Sequence, residues 1–82
     1  MSVEETLKTI LLDILEIDEK EIVPNASITN DLEASSIDVV EIVAALETEL
    51  NIDISDEDLE AMRTSDGITV QGIIDYLNTK TS

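Results

Sequence analysis

Residues 31–47 read DLEASSIDVVEIVAALE, a polar loop that leads into an amphipathic segment. Ser35 followed three residues later by Asp38 is a variant of the capping box, with Asp where Glu or Gln is usual. In this register Ser35 is the N-cap, and its hydroxyl accepts hydrogen bonds from first-turn N–H groups. Ser36 then takes the first helical position with its hydroxyl facing solvent. The pattern predicts a helix that begins at Ser36; the alternative is that both serines serve only the cap.

Two apolar rows follow along this predicted helix. The first has the spacing of a core-facing stripe and consists of Val39, Ile42, Val43, Leu46 and Leu50. The second lies on a neighbouring face, beside Glu41, Glu47 and Thr48, and consists of Ile37, Val40 and Ala44. Because a helix of a small domain needs only one buried stripe, the second row indicates a face that docks a partner. The alternative is a helix that is buried on both faces.

The composition of the 82 residues restricts the possible functions. Twenty acidic and four basic residues give a net charge of −16, which excludes nucleic-acid binding by electrostatics and favours partners with basic surfaces. There is no His and no Cys, so the chain lacks the usual general base, the thiolate and the soft metal ligands. If this protein takes part in chemistry, its reactive group must be supplied from outside.

Three further helices are predicted from the spacing of apolar residues. The first covers about residues 3–16 after a Ser2 cap, a short third helix begins at a Ser55 cap, and the last begins at Thr69. The connection after the first helix is unusually long. We expect four apolar residues to attach it to the core: Ile22, Val23, Ile28 and Leu32. The predicted fold is a single all-α domain over residues 1–82, a four-helix bundle with three main helices, a short third helix and a long loop after helix 1.

Three consecutive acids, Asp56, Glu57 and Asp58, follow the third predicted cap. They lack the ligand alternation and the glycine of a calcium loop, so we interpret them as a solvated helix start and predict no metal site. The chain has no apolar run long enough to span a bilayer and no signal-peptide pattern at residues 1–5. A cytoplasmic protein that does not bind membranes is therefore expected.

The helix at Ser36 resembles the modification site and recognition helix of acyl carrier proteins. The resemblance is carried by Asp31-Leu32-x-x-x-Ser36-Ile37-Asp38 and continues through Val40-Glu41-x-Val43-x-x-Leu46-Glu47-x-Glu49. It extends over nearly the whole chain, from Glu4-Glu5 to Ile74-Asp75-Tyr76-Leu77. In that family the motif is Asp-Ser-Leu, and its serine carries a 4′-phosphopantetheine arm. Two positions depart from the pattern, since Ser35 replaces the usual Asp and Glu33 a frequent Gly.

The resemblance implies a carrier rather than an enzyme. A 4′-phosphopantetheine arm, taken from coenzyme A and attached to Ser36, would hold acyl groups as thioesters in fatty acid, polyketide or related biosynthesis. The implied docking residues are Ile37, Asp38, Val40, Glu41, Ala44 and Glu47. An acyl pocket between the second and third helices would be lined by Val39, Val43, Leu46, Ile54, Leu59, Met62, Ile68 and Ile73. The implied partners of this monomer are a phosphopantetheinyl transferase and acyl-processing enzymes with basic docking patches.

Two functions of other classes compete with the carrier. An unmodified acidic adaptor would bind a basic protein partner through the same helix, and Ser36 would then be dispensable. A small acidic enzyme would use paired carboxylates such as Glu41 and Glu47. The enzyme is the weaker alternative, because a six-residue spacing on a helix does not bring two carboxylates to one point.

Overall fold

The computed structural model describes residues 2–81, and within them it contains four α-helices and no β-strand. The helices are α1 (Val3–Leu15), α2 (Ser36–Leu50), α3 (Asp56–Met62) and α4 (Val70–Thr81). A single 3₁₀ turn, Glu19–Glu21, lies in the connection between α1 and α2. The all-α architecture with three main helices, a short third helix and a long first loop is thus confirmed.

Each helix begins next to the residue that the sequence predicts as its cap. The side chains of Ser2, Ser35 and Ser55 accept hydrogen bonds from backbone N–H groups three residues further on. At the start of α4, Gly72 N donates to Thr69 Oγ1 at 3.0 Å. These bonds satisfy N–H groups that have no partner within a helix, which explains why the helix starts are encoded locally.

The long loop between α1 and α2 is attached to the core by its second half. Ile28 and Leu32 are buried, and the N–H of Ile28 donates to the carbonyl of Ile68 at 2.8 Å. The expectation for Val23 was wrong, because its side chain is 43% exposed. Ile22 ends the 3₁₀ turn and a second turn begins at Val23, whose carbonyl accepts from Ala26 N at 3.0 Å, so the two neighbouring side chains face different sides. Ile22 is the one that packs against it.

The core lies between α1, α2 and α4 and is entirely aliphatic at its centre. Its most deeply buried apolar side chains are Leu7, Leu11, Ile28, Ile42, Leu46, Ile68 and Leu77. None of the seven residues of α3 is fully buried. Because burial of apolar area is the main source of stability, α3 is the helix held least firmly by the core.

Candidate functional site

Ser36 is the first residue of α2, and its side chain is exposed. The capping hydrogen bonds belong to its neighbour. Asp38 N donates to Ser35 Oγ at 3.1 Å, and Ser35 N donates to Asp38 Oδ2 at 3.0 Å. Ser35 is therefore engaged in holding the helix start, as the sequence predicted. The Ser36 hydroxyl lies outside this reciprocal pair and can be reached from solvent.

A surface depression of about 460 Å³ lies beside Ser36. It is lined by Thr29, Ala34, Ser35, Ser36, Val39 and Arg63. Arg63 follows the last residue of α3, so the depression joins the beginning of α2 to the end of α3. Arg63 was not predicted as part of the site, since it lies 27 positions after Ser36 and only the tertiary fold brings the two residues to one place.

The loop before Ser36 contains a left-handed residue. Glu33 has a φ of 57°, a conformation that costs an ordinary residue of order 1 kcal/mol and that glycine adopts without strain. This geometry gives a physical reason for the glycine that acyl carrier proteins often have at the matching position. The chain thus forms the turn into α2 with a Glu at a backbone position that favours Gly.

The two apolar rows of α2 lie on the faces that their spacing predicts. Ile42 and Leu46 are buried, and the other members of the first row pack against the core. In the second row, Ile37 is 72% exposed and Val40 is 67% exposed. These two side chains form an apolar patch on the solvent-exposed side of α2. The alternative of a helix buried on both faces is therefore excluded.

Glu47 is one of two acids predicted at the docking face whose carboxylate already accepts a backbone hydrogen bond, and Asp38 is the other. The Glu47 side chain is half-buried, and its Oε2 accepts a hydrogen bond from Ile54 N at 2.9 Å. This bond ties α2 to the link that leads into α3. Glu41 is exposed. The carboxylates of Glu41 and Glu47 thus have different surroundings, a distinction that helical spacing alone could not show.

All eight predicted pocket residues line one internal cavity, between α2, α3 and α4. The four other residues of its wall were not predicted: Ile28, Ile42, Tyr76 and Leu77. The cavity is closed in this structure, with a volume of about 10 Å³, which is about the minimum that a single water molecule needs. The residues that would line an acyl pocket are therefore in place, but the cavity between them is too small to hold an acyl chain.

A polar cluster connects α3 to α4 at the edge of this cavity. The Tyr76 hydroxyl donates to Asp58 Oδ2 at 2.5 Å, and Lys80 Nζ lies 3.8 Å from the same oxygen. The hydrogen bond from Tyr76 lowers the pKa of Asp58. Partial burial, with Asp58 close by, raises the pKa of Tyr76 to about 12. The cluster holds a helix that has few buried contacts of its own.

Comparison with known proteins identifies the family. The phosphopantetheine attachment site family matches residues 5–77. The chain is 46% identical over 79 residues to the acyl carrier protein of Buchnera aphidicola subsp. Schizaphis graminum, covering 96% of this chain and 94% of that protein. It is 41% identical over 76 residues to the acyl carrier protein of Thermosynechococcus vestitus, covering 93% and 88% respectively. The chain belongs to the acyl carrier protein family.

Membership of the acyl carrier protein family establishes the general function. The chain is an acyl carrier and not an enzyme, and its cofactor is 4′-phosphopantetheine. Its partners include a phosphopantetheinyl transferase and acyl-processing enzymes. The unmodified adaptor is not favoured. In the part of the chain that the structure describes, no helix combines the length and the apolar character needed to cross a membrane.

The residues around Ser36 fit the cofactor of acyl carrier proteins. An arm joined through a phosphodiester needs an accessible hydroxyl and room for a phosphate, and the exposed Ser36 beside its depression provides both. The start of a helix also favours a negative charge, because its first N–H groups point outward.

Proposed function

We propose that this protein carries acyl groups as thioesters on a 4′-phosphopantetheine arm attached to Ser36. The observation that supports this site is the division of roles between two exposed serines: Ser35 forms the capping hydrogen bonds with Asp38, and Ser36 takes no part in that pair. In the attachment step, Ser36 Oγ attacks the pantetheine-bearing phosphorus of coenzyme A. A phosphodiester forms, the adenosine bisphosphate leaves, and the serine proton passes to a base of the transferase. When attached, the arm supplies the thiol that the chain lacks.

The docking surface that we propose is the exposed row of α2 with its acidic border. The apolar side chains of Ile37, Val40 and Ala44 would supply contact area, and Asp38, Glu41 and Glu47 would supply charge. At a net charge of −16 the protein attracts basic patches on partner enzymes over several ångströms. Because one oxygen of Glu47 already accepts from Ile54 N, Glu41 should contribute more to docking than Glu47 does.

The acyl chain would occupy the closed cavity after α3 moves outward. The polar contacts of Asp58 hold α3 to α4 and would have to break. Two observations support the route: the cavity lies beneath α3, and no residue of α3 is fully buried. Outward movement would therefore break few apolar contacts. It would widen a cavity whose lining is apolar except for the edge at Tyr76.

We further propose that residues 1–82 form a single carrier domain that works as a cytoplasmic monomer. The strong negative charge supports the monomer, because like-charged copies repel one another. Biosynthesis of fatty acids, polyketides or related compounds is the setting that we propose, since its enzymes process acyl groups held on carriers.

The experiment that tests the attachment site is co-expression with a phosphopantetheinyl transferase, followed by intact mass and fragment mass. We expect the wild-type chain and Ser35→Ala to gain one arm, and Ser36→Ala to gain none. Ser35→Ala should also lose about 1 kcal/mol of stability, because it removes the cap, whereas Ser36→Ala should melt close to the wild type. Attachment that persists in Ser36→Ala and disappears in Ser35→Ala would show that the arm is on the other serine.

A further inference from the structure

We propose that Arg63 binds the phosphodiester of the arm and thereby positions the base of the arm between α2 and α3. This inference rests on the proposed attachment at Ser36. Arg63, at the end of α3, lines the same surface depression as Ser36. A phosphate carried on Ser36 Oγ would enter that space from the side of α2, and Arg63 lines it on the side of α3.

The backbone of Arg63 is held in place at the end of α3. Arg63 is the C-cap residue, and its N–H donates to Glu60 O at 3.2 Å. The preceding residue, Met62, lines the internal cavity. A side chain that contacts the phosphate from this position would connect the arm on Ser36 to the helix that covers the cavity.

The charge distribution favours an ion pair between Arg63 and a phosphate at Ser36. The chain has only four basic residues against twenty acids, and a phosphodiester adds one more negative charge. Among the six residues that line the depression, Arg63 is the only charged one, so no carboxylate competes for it within that space. A guanidinium also offers a planar set of N–H donors that matches the oxygens of a phosphate.

Arg63 is available for this contact. Its ion pair with Glu60 is long, with Nε 3.6 Å from Oε2, and both side chains are largely exposed at 49% and 71%. Exposed pairs of this kind contribute little, because solvent screens them and the side chains must be ordered to form them. The guanidinium can therefore turn from Glu60 to the phosphate at small cost.

The test uses the fact that Arg63 is the only arginine in the chain. Its Nε–Hε group gives a single, unambiguous NMR signal, which can be compared between the apo protein and the protein carrying the arm. We expect this signal to shift on attachment, and the shift to decrease as salt is raised toward about 1 M, where the screening length is about 3 Å. The ³¹P resonance of the phosphodiester should move in Arg63→Gln and return part of the way in Arg63→Lys.

Two matched variants separate this contact from a general effect of charge. Lys20→Gln removes one positive charge on the exposed 3₁₀ turn and should leave the ³¹P resonance unchanged. Glu60→Gln removes the carboxylate that competes for Arg63, so it should enlarge the shift of the Nε–Hε signal on attachment.

The outcomes are distinguishable. If the arm is on Ser36 by fragment mass and the Arg63 signal does not move, the inference about Arg63 is refuted and the carrier function stands. Equal ³¹P changes in Arg63→Gln and Lys20→Gln would refute it as well, since a remote charge would then act like the local one. If no arm is attached to Ser36, both the inference and the proposed function fail.

Discussion

The two faces of α2 can be compared by placing the same charge on each of them. Val40→Asp puts a carboxylate on the exposed row, where the valine is 67% exposed and little burial is lost. Val43→Asp puts the same carboxylate on the core-facing side of the helix, at a partly buried residue that lines the internal cavity. The substituted residues are three positions apart on one helix, so intrinsic helix propensity affects both variants equally.

The expected difference follows from burial and from the size of the cavity. Losing a partly buried valine side chain costs about 1 kcal/mol, and a polar group without a partner adds about 1–3 kcal/mol. A cavity of about 10 Å³ has almost no room for water to hydrate the carboxylate. Val43→Asp should thus lose about 2–4 kcal/mol, a large part of the roughly 4–12 kcal/mol expected for a domain of this length. Val40→Asp should remain within about 0.5 kcal/mol of the wild type.

The assay is thermal unfolding followed by far-ultraviolet circular dichroism. A loss of about 2–4 kcal/mol corresponds to a melting temperature lower by about 8 °C or more in a domain of this size. Val43→Asn serves as a neutral control. An apolar cavity raises the pKa of the introduced carboxyl, so the variant is stabilised where that carboxyl is protonated. Val43→Asp should therefore differ from Val43→Asn more at pH 7 than at pH 5.

A functional measurement completes the comparison. Val40→Asp should be modified more slowly by a phosphopantetheinyl transferase, because it places a charge in the proposed docking row while the fold is preserved. If Val40→Asp unfolds the protein and Val43→Asp does not, the assignment of the two faces is refuted. Normal modification of a folded Val40→Asp variant would refute the docking role of the exposed row.

Three further predictions follow from the same structure. Glu41→Lys should slow association with the transferase and flatten the salt dependence of the association rate without loss of stability. Glu47→Lys should have the same effects and also lower the melting temperature, because Ile54 N loses its acceptor. Equal melting temperatures for the two variants would contradict the role of the Glu47 hydrogen bond. The raised pKa of Tyr76 means that its neutral form favours the folded state. Stability from this group is present below pH 10 and lost as pH rises through about 12, and the difference in unfolding free energy between wild type and Tyr76→Phe should shrink over that interval. Self-repulsion at a net charge of −16 should make the melting temperature rise with added sodium chloride or millimolar magnesium. A melting temperature that stays constant from about 10 to 300 mM salt would show that the acids are already well paired or widely spread.

Local sequence was sufficient to predict where each helix starts and which of the two serines forms the cap. A cap bonds to N–H groups two or three residues away, so Ser35 and Asp38 can be paired from their spacing alone. The same reasoning placed Ile42 inward and Val40 outward, since the period of the helix assigns each residue to a face. These predictions depend on neighbours in sequence, which is why they could be made without the fold.

Contacts between distant segments were decided only by the tertiary structure. Arg63 lines the depression at Ser36 because the fold places the end of α3 beside the start of α2, and no pattern within either segment encodes that proximity. The hydrogen bond from Tyr76 to Asp58 joins residues 18 positions apart on different helices. The pocket lining could be predicted as a set of apolar residues, but its closure could not. Side-chain volumes fill the space between packed helices, so the size of a cavity is a property of the packing and not of any one helix.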